Sequence, residues 1–143
     1  MSKIAVVYWS GTGNTEAMAN EVAEGAKAAG AEVDVLTASE FGADKMDAYD
    51  AVAFGCPAMG AEELEDSEFE PMFSDCEGKL GGKKIALFGS YGWGDGEWMR
   101  NWVEQMEGAG ATVVGGEDAI CQEAPDEDAQ DELKAMGKQL AAI

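Results

Sequence analysis

The strongest constraint on this chain is an alternation along its length. Short apolar runs rich in β-branched and aromatic residues take turns with stretches whose apolar residues recur at helical spacing. Residues 4–8, Ile-Ala-Val-Val-Tyr, read as a first buried strand. Residues 16–29 follow as an Ala-rich helix with Met18, Val22 and Ala26 along one face, and Gly30 stops it. Residues 32–37 alternate as a second strand, and residues 51–55 make a third that runs into Cys56-Pro57. Ser67 and Glu70 have the spacing of a capping box for a helix through about Cys76. Residues 84–89 give a fourth strand. Residues 97–107 give the next helix, with Trp98, Met99, Trp102, Val103 and Met106 on its inner stripe. Residues 112–114 open a fifth strand whose pattern breaks before Ile120. Pro125-Asp126 starts a last helix that buries Leu133, Met136, Gly137 and Leu140.

Strands that alternate with helices imply an α/β fold, a doubly wound parallel sheet with helices on both faces. The 143 residues suffice for one core and one domain, residues 1–143, with no repeat, linker or low-complexity tract. Ligands on such sheets sit beyond the carboxyl ends of the strands. The loops after the first, third and fourth strands are therefore where chemistry is expected.

Composition narrows that chemistry. Nine Lys and Arg stand against 29 Asp and Glu, a net charge of −20. Such a surface repels nucleic acid and anionic membranes and attracts proteins with basic patches. The same acidity would also serve solubility alone. There is no His, which removes the commonest general base and metal ligand. Cys56, Cys76 and Cys121 are odd in number and lack C-x-x-C spacing, so neither a disulfide framework nor a zinc site is expected. Reduced cysteines suit a cytoplasmic protein. The apolar run near the N-terminus is too short for a signal peptide or a membrane span, and no membrane insertion is expected.

The first loop is Ser10-Gly11-Thr12-Gly13-Asn14-Thr15, between a strand and a helix N-terminus. Three hydroxyls, one side-chain amide and several backbone N–H groups can converge there on an anion, most naturally a phosphate. An ordinary Gly-rich turn with a Thr cap would use the same residues. It is no Walker loop, because no Gly-Lys-Ser/Thr follows, and Glu16 stands where a dinucleotide fingerprint needs its third Gly. Lys3 and Lys84 begin their strands, about five residues or about 16 Å from the ligand edge, so a phosphate would be held by neutral donors. The second loop is Pro57-Ala58-Met59-Gly60-Ala61-Glu62, and the third is Ser90-Tyr91-Gly92-Trp93-Gly94-Asp95-Gly96. Trp93, flanked by glycines, suits stacking on a flat ring, or folds back onto the core. Met59 would cover the opposite ring face or fill the core. Cys56 reads as a buried strand-end thiol. No nucleophile, acid–base pair or metal constellation appears, and no catalytic residue is assigned.

Three runs carry a resemblance. Val6-Val7-Tyr8-Trp9-Ser10-Gly11-Thr12-Gly13-Asn14-Thr15 resembles the flavodoxin phosphate-binding signature. Gly55-Cys56-Pro57-Ala58-Met59-Gly60 and Leu87-Phe88-Gly89-Ser90-Tyr91-Gly92-Trp93-Gly94 also match that family, in particular short-chain flavodoxins of anaerobic bacteria. The resemblance spans essentially the whole chain, with the motifs in family order. It implies a five-stranded parallel sheet of order 2-1-3-4-5 and one non-covalently bound flavin mononucleotide (FMN). Flavodoxins are themselves a standard illustration of FMN at the switch point between the first and third strands, so that placement comes with the family.

The resemblance also implies roles. Ser10, Thr12, Asn14 and Thr15, with backbone amides of that loop including Gly11 and Gly13, would bind the FMN phosphate. Trp93 would stack on one flavin face and Met59 cover the other. Glu62 would address the pyrimidine edge. The Gly60 carbonyl would turn to accept N5–H after one-electron reduction, a flip that Gly tolerates best. Ala61, where relatives carry a polar residue, bears on how easily that turn flips. Ala58, Ser90, Tyr91, Gly92 and Gly94 complete the ring-binding loops. The implied function is low-potential one-electron transfer between the semiquinone and hydroquinone of FMN for partner oxidoreductases with basic docking surfaces. A net hydrogen bond of about 1 kcal/mol shifts a one-electron couple by roughly 40 mV. The acidic residues Glu62, Glu63, Glu65, Asp66, Glu68 and Glu70 read either as a docking rim or as a solvated loop and helix start. The protein is expected to be a monomer and not an enzyme. An FMN-dependent NAD(P)H quinone or nitro reductase is the alternative on the same fold.

Overall fold

The structure is a computed structural model, and it describes residues 3–9, 13–46, 48–56, 69–79, 81, 83–91, 97–113, 120–122 and 127–141. Among the described residues six strands form the sheet: β1 (Lys3–Tyr8), β2 (Glu32–Thr37), β3 (Ala51–Gly55), β4 (Lys84–Tyr91), β5 (Thr112–Val113) and β6 (Ile120–Gln122). The order is β2-β1-β3-β4-β5, and every pairing is parallel. Both β5 and β6 pair with β4, Lys84 opposite Thr112 and Gly89 opposite Ile120. The fifth position of the expected 2-1-3-4-5 sheet is thus filled by two pieces of one interrupted strand.

Helices α1 (Asn14–Ala28) and α5 (Glu127–Ala141) cover one face, and α3 (Phe69–Cys76) and α4 (Glu97–Gly108) the other. A short helix α2 (Ala43–Met46) packs beside α3. Strand side chains alternate between the two cores, as period-2 geometry requires. Ile4 and Val6 join α1 and α5, whereas Ala5 and Val7 join α3 and α4. The central strands are apolar from Ile4 to Val7, from Ala51 to Phe54 and from Ile85 to Phe88 because both their faces are covered there. Helices α1 and α5 touch through glycines. A Cβ on Gly25 would collide with the Lys134 carbonyl, and one on Gly137 with the Val22 carbonyl. No residue larger than Gly fits either crossing point as it stands.

Several boundaries differ from the sequence expectation. Helix α1 begins at Asn14, two residues early, because Gly13 takes the N-cap position. Residues 38–46, left unassigned by periodicity, form a 3-10 turn (Ala38–Glu40) and α2. The Thr37 amide donates to Glu40 Oε1 at 2.9 Å in a capping box that starts that turn. These bonds hold the Glu40 carboxyl below its ordinary range. Strand β4 continues to Tyr91 because β6 pairs with its last three residues. Met99, Trp102 and Met106 are buried on α4 as expected, with Val103 packed beside them. Ser67 and the side chains of Glu70 and Trp98 lie outside the described residues, as do residues 123–126 before α5.

Candidate cofactor site

Strands β1 and β3 end level with each other, and β4 runs three residues past them. Tyr8 stands opposite Gly55, and Gly55 opposite Phe88. The ladder runs one residue further, with Trp9 N–H donating to Gly55 O at 3.0 Å and Cys56 N–H to Phe88 O at 3.1 Å. The chain therefore departs for residues 10–12 and 57–68 from adjacent points on the carboxyl edge of the sheet. It departs for residues 92–96 from the same edge, three residues further along β4.

Of the expected phosphate-binding residues, Gly13, Asn14 and Thr15 are described, and they open α1. Gly13 has φ +95° and ψ −8°, a left-handed conformation that favours glycine. It caps the helix with no side-chain hydrogen bond. The first bond back to it comes from Ala17, whose N–H reaches Gly13 O at 3.0 Å. The N–H groups of Asn14, Thr15 and Glu16 precede that bond and have no acceptor within the helix. Thr15 is 1% exposed, and its Oγ1 is buried with no hydrogen-bond partner. Such an orphan costs about 1–3 kcal/mol and calls for an explanation. A phosphate at this helix end would explain it, because it would accept from the hydroxyl and from the helix's first amides and would suit the positive end of the helix.

No lysine at the amino edge can neutralise such a phosphate. Lys3 and Lys84 start β1 and β4, at the end of the sheet remote from Gly13. Lys3 Nζ lies 5.2 Å from the centre of the Tyr49 ring. Lys83 Nζ donates to Tyr49 O at 2.7 Å and Met46 O at 3.1 Å.

Sequence reading missed Tyr8. Burial, followed by the Glu16 carboxylate that accepts its hydroxyl, raises the Tyr8 phenol above its ordinary value. Tyr8 is the last residue of β1 and Glu16 lies in the first turn of α1, so this contact ties the strand to the helix. A Tyr ending a strand and a Glu in the next helix's first turn were the available signal. Neither described thiol is chemically poised. Cys56 is fully buried, and Cys76 is pushed up to about 12, by burial first and then by Asp75 and Asp44. Among the described residues no three acidic or Cys side chains converge to hold a metal.

Ser90 and Tyr91 are the last residues of β4, placed on the carboxyl edge by their pairing with Cys121 and Gln122. Ser10, Gly11, Thr12, Ala58, Met59, Gly60, Ala61, Glu62, Gly92, Trp93 and Gly94 lie outside the described residues. So do Glu63, Glu65, Asp66 and Glu68.

The family model for flavodoxin matches residues 6–136. The chain belongs to the flavodoxin family. It is 52% identical over 138 residues to a flavodoxin of Megasphaera elsdenii, covering 96% of this chain and 98% of that one. It is 49% identical over 138 residues to a flavodoxin of Clostridium beijerinckii, covering 96% and 99%. The solution structure of two-electron reduced Megasphaera elsdenii flavodoxin superposes with a TM-score of 0.90 at 51% identity, covering 98% of this chain and 99% of that one. Flavodoxins are electron-transfer proteins that carry FMN, and the chain is accordingly an FMN-binding electron carrier serving partner oxidoreductases. Its work is electron transfer and not turnover of a substrate. Among the described residues no helix is long and apolar enough to cross a membrane.

Proposed function

We propose that residues 1–143 act as a single-domain, monomeric, low-potential one-electron carrier in the cytoplasm. The observation that carries the reading is the buried, unpartnered Thr15 hydroxyl at the start of α1. With Ser10, Thr12, Asn14 and the backbone amides of Gly11 and Gly13, it would hold the FMN phosphate. Met59 and Trp93 would enclose the ring, Gly60 and Glu62 would address its polar edge, and Ala58, Ala61, Ser90, Tyr91, Gly92 and Gly94 would complete the loops. Bound FMN would supply the one-electron chemistry.

The charge distribution supports a low potential. A carboxylate about 10 Å from an added negative charge costs up to about 1.7 kcal/mol at an effective dielectric of 20, before screening. The chain's net charge is −20, and Lys3, Lys83 and Lys84 lie at the far edge of the sheet. The same excess of acid favours oxidoreductases with basic docking surfaces, and salt should then slow partner reduction. Buried thiols at Cys56 and Cys76, neither of them in a disulfide, accord with a reducing compartment.

Anaerobic reductive titration of the FMN-loaded protein tests the reading. Two separate stages in the visible spectrum are expected, the second only with a strong reductant. A single two-electron stage, or rapid NADPH oxidation by the protein alone, would favour a reductase instead.

A further inference from the structure

Resting on the assignment of residues 57–62 and 90–94 to the flavin ring, we infer that Trp102 is a positioning residue for the ring-binding half of the site. Trp102 stands on α4 and is 1% exposed. Its indole meets Phe69 edge-on at 5.4 Å and 86°, and Phe73 at 5.6 Å and 77°. Phe69 and Phe73 stack at 6.2 Å and 10°. Phe54 stands edge-on to both, at 6.5 Å and 5.5 Å.

The cluster's importance lies in where its members sit along the chain. Phe54 is two residues before Cys56, where the chain leaves β3 for residues 57–68. Phe69 is the first residue of α3, where the chain returns. Helix α4 starts at Glu97, directly after residues 92–96. One aromatic cluster therefore grips both ends of one ring-binding segment and the helix that follows the other. Edge-to-face contacts are directional, so a change in the Trp102 ring alters the α3–α4 relation instead of merely thinning the core. The indole's Nε1 is buried without an acceptor. What Trp offers here over Phe is breadth, enough to reach Phe69 and Phe73 together.

The test compares Trp102→Phe and Phe69→Leu with Trp93→Ala and with Met136→Leu, a volume-conserving change in the opposite core. Each FMN-loaded variant is titrated for the separation of its two one-electron midpoint potentials, and each FMN-free variant for riboflavin affinity. Trp102→Phe and Phe69→Leu should change the ratio of the two reduction constants about tenfold, or about 59 mV in the separation. They should also weaken riboflavin about as much as FMN. Met136→Leu should leave both unchanged. If Trp93→Ala shifts the potentials while Trp102→Phe and Phe69→Leu only lower stability, Trp102 is ordinary core and the inference fails. If Trp93→Ala shifts nothing, the ring assignment beneath it fails, and the inference with it.

Discussion

Over one face of the sheet the buried cluster contains Ala19, Ala23, Ala51, Ala53 and Ala86, and over the other it contains Phe54, Phe69, Phe73 and Trp102. The alanines and the Gly25 and Gly137 crossing bring backbones so close that α1 has little room to move. That helix presents Gly13 and Thr15, the residues suited to a compact phosphate. The aromatic face joins helices through oriented rings, and those helices follow the segments assigned to the flavin ring. A phosphate asks for fixed donors at one point. A ring asks for two segments held at a set separation. The two faces meet these demands by opposite packing.

The contrast breaks first under truncation. Phe73→Ala opens a cavity in the aromatic face and should cost about 3–5 kcal/mol in urea denaturation of the FMN-free protein. Gly137→Ala overfills the small-residue face and should cost about 1–3 kcal/mol in the same measurement. A larger loss from Gly137→Ala than from Phe73→Ala would reverse the account of which face depends on volume.

Alkaline pH should sharpen the contrast by a smaller amount. Cys76 and Tyr49 both belong to the aromatic core. The Cys76 thiol moves from an ordinary 9.0 to about 12, chiefly by burial. The Tyr49 phenol moves from 10.0 to about 12, by burial and by its 2.8 Å hydrogen bond to Asp34 Oδ2. Both groups hold protons in the folded state that the unfolded chain releases sooner. Their stabilisation is full below pH 9 and is lost as pH rises from about 9 to about 12. Cys76→Ala combined with Tyr49→Phe should flatten that slope. An unchanged slope would place the alkaline sensitivity elsewhere.

Some of this was legible in the residues alone. The strand at 32–37 read correctly from its alternation and the one at 51–55 from its apolar run. The start of α1 read two residues late. Asn14 and Thr15 look like caps, but Gly13 at positive φ takes that position and draws both into the helix. The end of β4 was hidden because Gly89-Ser90 resembles a turn, and only the distant β6 makes it strand. The turn at 38–40 carried a readable T-x-x-E box that periodicity passed over. The phosphate loop was visible as a motif, yet the unpartnered state of Thr15 Oγ1 depends on packing around α1 and could not be read. Gly25 and Gly137 are 112 positions apart (137 minus 25), so their shared crossing exists only in the fold. Trp102 read correctly as core, but its edge-on contacts with both Phe69 and Phe73 exist only in the fold.

The central claim is that α1 holds the phosphate independently of the ring. Thr15→Val keeps the side chain's shape and removes only the unpartnered hydroxyl. FMN and riboflavin affinities, measured for the wild type and for Thr15→Val, test it most directly. A hydrogen bond to a charged group contributes about 1.5–3 kcal/mol, so FMN affinity should fall about 10- to 150-fold. Riboflavin affinity should stay within twofold of wild type, and the FMN-free protein should gain about 1–3 kcal/mol, because the buried hydroxyl has no partner there. Equal losses for FMN and riboflavin, or no loss for either, would contradict the account.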